Sequence, residues 1–181
     1  MRRFILLVIL FTTGCAVWIQ AGGPYTSKSL NFSAELPQGW MRLNTTKHLL
    51  VTRDGVLLQN VIIERIAIDE EFEHTKRKLS KEMLPQETAE VIIDNISSNQ
   101  SVLNFEVLEN SPAEISGFPG FRLVFMYKNE DGLRSKSIFY GFMKGEWFYS
   151  IGYNSAARHY FEKDLETFKK VLNSFKLIDS A

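Results

Sequence analysis

GFPGFRLVFMYKNEDGLRSKSIFYGFMKGEWFYSIGYN, residues 117–154, decides the fold. Phe121, Leu123, Phe125 and Tyr127 alternate with their neighbours, as do Trp147, Tyr149, Ile151 and Tyr153. Period two with aromatic and β-branched residues predicts strands. Asn129-Glu130-Asp131-Gly132 and Lys144-Gly145 are tight-turn sequences, so the three strands of this stretch should run antiparallel. Upstream, VLNFEVLENSPAEI (102–115) alternates too and should add a strand. Downstream, SAARHYFEKDLETFKKVLNSFKL (155–177) changes period. Phe161, Leu165, Phe168, Leu172 and Phe175 form the apolar stripe of a helix that packs across a sheet.

Further upstream, PQETAEVIIDNISSN (85–99) reads as a helix with Pro85 in its first turn and Ala89, Ile92, Ile93 and Ile96 at helical spacing. DEEFEHTKRKLSKEML (69–84) is expected to be another helix, capped by Asp69, with Phe72, Leu79, Met83 and the Lys76 stem along one face. Its Lys76, Arg77, Lys78 and Lys81 then read as a solvated face with nearby Glu residues. HLLVTRDG (48–55) and VLLQNVIIERIAI (56–68) predict two strands joined at Asp54-Gly55. In SLNFSAELPQGW (29–40), Leu30, Phe32, Ala34 and Leu36 share a strand face before Pro37-Gln38-Gly39 turns the chain.

The N-terminal residues carry a different message. Arg2 and Arg3 precede an apolar run from Phe4 to Phe11, then Thr12, Thr13, Gly14 and Cys15. A basic start, a short apolar stretch and a small-residue exit form an export signal. The run is short for a spanning helix. Thr12-Thr13-Gly14-Cys15 resembles the bacterial lipoprotein signal, departing from it at Thr12, where Leu is usual. Cys15 is the single cysteine, and acyl chains on it would give a membrane anchor. A standard secretory cut near Gly14-Cys15-Ala16 or Ile19-Gln20-Ala21 is the alternative and would leave a soluble secreted domain. The expected organisation is a signal over 1–14, a lipidated Cys and tether over 15–28, and one domain over 29–181. By the lipoprotein sorting rule, Ala16 after the cysteine points to an outer-membrane lipoprotein facing the periplasm.

With 21 basic and 21 acidic residues, the chain has no broad electrostatic surface for nucleic acid, and none is expected as a partner. The 14 Phe argue for a substantial core. The sequons at Asn31, Asn44, Asn95 and Asn99 read as chance in a chain with a bacterial-type signal.

FSAELPQGW (32–40), Gly117-Phe-Pro-Gly-Phe121, the two aromatic hairpin strands and the closing VLNSFKL (171–177) together resemble the Mog1/PsbP-like superfamily over roughly residues 29–178. The resemblance implies an α+β fold, an antiparallel sheet flanked by helices as an α/β/α sandwich. It implies binding or assembly, since members associate with a small GTPase or with photosynthetic complexes. It supplies no catalytic residues, and neither partner transfers.

Nothing in the chain spells out catalysis. His48, His74 and His159 form no H-E-x-x-H pair. There is no G-x-S-x-G elbow and no P-loop, and Gly117–Gly120 reads as a turn between strands. Acid pairs at Asp69-Glu70-Glu71 are explained by a helix start. No cofactor or metal is expected. The aromatics exceed what one sheet face buries, so Trp40, Trp147, Tyr149 and Tyr153 are the candidate apolar or partner surface, unless helices cover both faces. The expected function is that of an exported, lipid-anchored, non-enzymatic binding or assembly domain with a protein partner. A carrier of a small apolar ligand in an aromatic groove is the alternative, and a hydrolase with an unrecognised site comes third.

Overall fold

The computed structural model describes residues 17–178. Nine strands and two helices follow in the order β1 (Trp18–Ser27), β2 (Phe32–Leu43), β3 (Leu49–Thr52), β4 (Gln59–Ala67), α1 (Pro85–Ser97), β5 (Leu103–Ile115), β6 (Phe118–Lys128), β7 (Arg134–Lys144), β8 (Trp147–Ala156), α2 (Tyr160–Ser174) and β9 (Lys176–Leu177). The strands build one sheet in the order β1-β2-β3-β4-β8-β7-β6-β5, with β9 beside β2. Every pairing is antiparallel.

The three strands of the opening stretch are β6, β7 and β8, joined as their turn residues require. Gly132 donates its N–H to the Asn129 carbonyl at 2.9 Å, and the Asn129 side chain accepts from Leu133 N–H at 2.8 Å. Ser116 and Gly117 both adopt positive φ, 53° and 83°, between the paired residues Ile115 and Phe118. Two such residues make a hairpin turn whose twist matches the flanking strands, and glycine takes the second place without a Cβ penalty.

Alternation splits the sheet's side chains between two cores. On one face Val61, Ile63, Tyr149, Ile151 and Tyr153 meet Phe161, Phe168 and Val171 of α2, with Phe175 just past its end. On the other, Phe121, Leu123, Phe125 and Phe148 meet Ala89, Val91 and Ile92 of α1. Pro85 opens α1, and the Glu87 carboxylate accepts the Leu84 N–H at 2.7 Å, satisfying a free donor at the helix start. Helices therefore cover both faces of an α+β antiparallel sheet.

Four local expectations give way to the structure. Residues 69–84 are not a helix but an irregular crossing segment. Phe72 N–H bonds the Arg77 carbonyl, Leu79 N–H bonds the Ile68 carbonyl, and Lys76 turns the chain at φ 57°. A stripe of only Phe72, Leu79 and Met83 along sixteen residues is too thin for a packed helix. The looped path seats Phe72 and Leu79 separately in the α1-side core. Three of the four basic residues consequently pair separately, Arg77 with Asp94, Lys81 with Glu146, and Lys78 with Glu71 at 3.8 Å.

The stretch expected as a tether is also structured. Residues 18–27 form β1, paired with β2 from Trp18–Leu43 to Ser27–Phe32, so the folded domain starts well before residue 29. Pro24 is tolerated because β1 is an edge strand, where one side of the backbone needs no ladder partner. Nor do Pro37, Gln38 and Gly39 end the strand. They bulge from β2 opposite Gly22, which lets Leu36 and Trp40 both enter the core. Finally, the Asp54-Gly55 turn widens into a loop from Arg53 to Leu58 before β4. The signal segment and Cys15 lie outside the described residues.

Candidate ligand cleft under the first helix

α1 lies over β5, β6 and β7. The same sheet face continues across β8 and β4, where alternation presents Phe148 and Ser150 beside Ile66 and Glu64. Between this floor and the side of α1 is a cleft of about 340 Å³, walled by Ile92, Asn95 and Ile96, with Phe72 on its outer side. The Asn95 side chain accepts the His74 N–H at 3.1 Å and so ties the outer wall to the helix. A second cleft of about 230 Å³ runs on toward Ile62, Val102, Phe125 and Gly152. Ile96 and Phe139 line both.

Glu64 is the charged residue on the cleft floor. No hydrogen bond to its carboxylate forms among the described residues. Burial pushes its pKa up from the ordinary carboxylate value, and His48 beside the start of β3 partly opposes this. Glu70, Glu71 and Glu73 form an exposed acidic rim. No Lys or Arg lines either cleft among the described residues.

The aromatics singled out in the sequence do not come together as a surface. Trp40 and Tyr149 are 2% exposed and Tyr153 is fully buried, all in the core beneath α2. Their strand positions point them to the side that α2 covers. Tyr153 donates its hydroxyl to the carbonyls of Tyr160 and Phe161 at 2.9 and 3.1 Å, and burial pushes its pKa up to about 12. Trp147 alone of the four is open, 36% exposed, with the Arg65 guanidinium 3.9 Å from its ring centroid. His74 and His159 are exposed, as expected.

A second polar group belongs to the scaffold. Asp164 on α2, 2% exposed, accepts hydrogen bonds from Arg53 at 2.9 Å and Gln59 at 3.0 Å. It fastens the helix to the loop between β3 and β4. Among the described residues, no group of three or more His, Cys, Asp or Glu is placed to hold a metal ion.

The sequence reading passed over Glu64, although one signal was present. It is a carboxylate on the strand face otherwise made by Ile62 and Ile66. A charge on an apolar alternation either pairs or faces a cavity.

No protein-family model and no curated protein matches the chain. Solved structures do. The cyanobacterial PsbP protein CyanoP from Synechocystis sp. PCC 6803 superposes with TM-score 0.60 at 12% identity, over 94% of this chain and 98% of its own. The Ran-binding protein Mog1p of Saccharomyces cerevisiae gives 0.56 at 8% identity, over 89% of this chain and 97% of its own. A protein of unknown function from Pseudomonas aeruginosa, PA94, gives 0.56 at 10% identity, over 89% and 99%. The fold is thus Mog1/PsbP-like across most of the chain.

Proposed function

We propose that this Mog1/PsbP-like domain is an exported, lipid-anchored, non-enzymatic binding or assembly module of a bacterial cell envelope. The observation that carries the binding role is the open cleft under α1. It is an apolar recess with an acidic rim, in a molecule whose other sheet face packs against α2. Concave, mostly apolar recesses with a few placed polar groups are the usual form of a binding site. The export reading rests on Arg2-Arg3, the apolar run and Thr12–Cys15. Among the described residues no helix is long and apolar enough to cross a membrane. Under this reading the acyl chains on Cys15 are what hold the domain to the bilayer.

The test is expression of the full chain in a bacterium, with fractionation, intact mass and crosslinking in living cells. Wild type should sediment with membranes, begin at Cys15 and carry acyl mass, and Cys15→Ala should do none of these. A discrete crosslinked protein partner should be recovered from wild type. A soluble, unmodified wild type would overturn the anchoring, and repeated absence of any adduct would overturn the assembly role. The cleft's lining by Phe72, Phe139, Phe148, Ile92 and Ile96 favours a second reading, carriage of a small apolar ligand.

A further inference from the structure

The two clefts differ in what they offer a ligand. The larger holds the Glu64 carboxylate on its floor and three more carboxylates at its mouth. Of the mouth carboxylates only Glu71 has a salt-bridge partner among the described residues, Lys78 at 3.8 Å, and His48 beside the start of β3 is the one basic group among them that acts on Glu64. The smaller cleft is lined by Ile62, Val102, Phe125 and Phe139. Its polar members satisfy one another. Ser137 Oγ lies 2.7 Å from Asn154 Oδ1, and the Tyr127 hydroxyl donates to the same oxygen at 3.2 Å. That end has little to give a charge and much to give a hydrocarbon.

A neutral or anionic occupant of the larger cleft would strip water from Glu64 without supplying a counter-charge, which is costly. A cation removes that cost, and the acidic rim would draw it in. We infer that the two clefts form one site for a small amphiphilic cation, a protonated amine whose head lies at Glu64 and whose apolar tail follows Ile62, Val102 and Phe125. Gly152 keeps the tail's path open. Opposite Ile62 on β4, it has no side chain to fill the second cleft. This inference rests on the carrier reading and narrows it to one ligand chemistry.

The test uses the full chain carrying Cys15→Ala, titrated with n-octylammonium, n-octanol and octanoate while amide NMR signals along β4, β8 and α1 are followed. Octylammonium should bind at least ten-fold more tightly than octanol, and octanoate should bind weakest. Glu64→Gln should erase the preference for amine over alcohol while leaving octanol binding in place. Gly152→Val should weaken octylammonium more than butylammonium. Ile96→Phe, in the wall shared by both clefts, does the same service should the glycine variant fold poorly. Equal binding of amine and alcohol, or a preference that survives Glu64→Gln, overturns the cationic assignment and leaves the carrier reading standing. No binding by any probe overturns both.

Discussion

Glu64 shows how one side chain links stability to the site. Strand alternation places it on the face of β4 that looks toward α1, and burial raises its pKa above the ordinary 4.5. The folded chain therefore holds this proton to higher pH than the unfolded chain does. The associated stability is complete below about pH 4.5 and is lost as pH rises through the raised value. Glu64→Gln should consequently be more stable than wild type at pH 7, with the gap closing as the pH falls toward 4. Urea unfolding across that range measures it, and equal stability at pH 7 would mean that the carboxylate is not desolvated. The alternation that gave β4 its strand assignment also carried this clue, since Ile62, Glu64 and Ile66 were readable as one face. What the sequence could not say was whether that face met helix, water or a cavity. Trp40, Tyr149 and Tyr153 failed for the same reason. Period two tells which residues share a side, not which side the last helix covers.

At the level of elements, strong periodicity was legible and sparse periodicity was not. The stripe Phe161, Leu165, Phe168 and Leu172 of α2, with Phe175 packed just past its end, and the aromatic alternation of β6 to β8 matched the structure. The Phe72-Leu79-Met83 pattern was too thin to hold a helix. Lys76 supplies the discriminating test. Glycine in a helix interior costs about 1 kcal/mol, but at a positive φ it relieves a comparable strain. At φ 57°, Lys76→Gly should raise stability by about 0.5–1 kcal/mol. A loss of similar size in urea unfolding would restore the helix. Within β7, Gly141 answers to packing. A Cβ there would lie 2.5 Å from Phe121 Cζ and 2.8 Å from Phe148 Cζ, in rings stacked on each other at 6.2 Å. Gly141→Ala should cost about 1–3 kcal/mol by overpacking the α1-side core, read as a lowered unfolding midpoint without loss of the slope. β1 was missed because glycine and proline normally punctuate structure. Here they fall at an edge and opposite a bulge, where a ladder tolerates them.

For the whole molecule, the family pattern foresaw a sheet with helices on both sides, and the two cores bear it out. β1 makes that sheet longer than the sequence suggested, and its loss would leave β2 as a bare edge over Ala34, Leu36 and Trp40. A chain beginning at Ser29 should therefore be less soluble and melt well below one beginning at Val17. Equal melting temperatures would return residues 18–27 to the role of a leash. The early start of β1 also bears on geography. Between Cys15 and Trp18 stand only Ala16 and Val17, a reach of about 10 Å at full extension. With acyl chains on that cysteine, the module would not swing through the periplasm on a long line. It would graze the lipid headgroups, with its orientation constrained from the first strand. Its search for a partner or an amine would be confined to a shallow layer, so lateral diffusion rather than free tumbling would set how often the two meet.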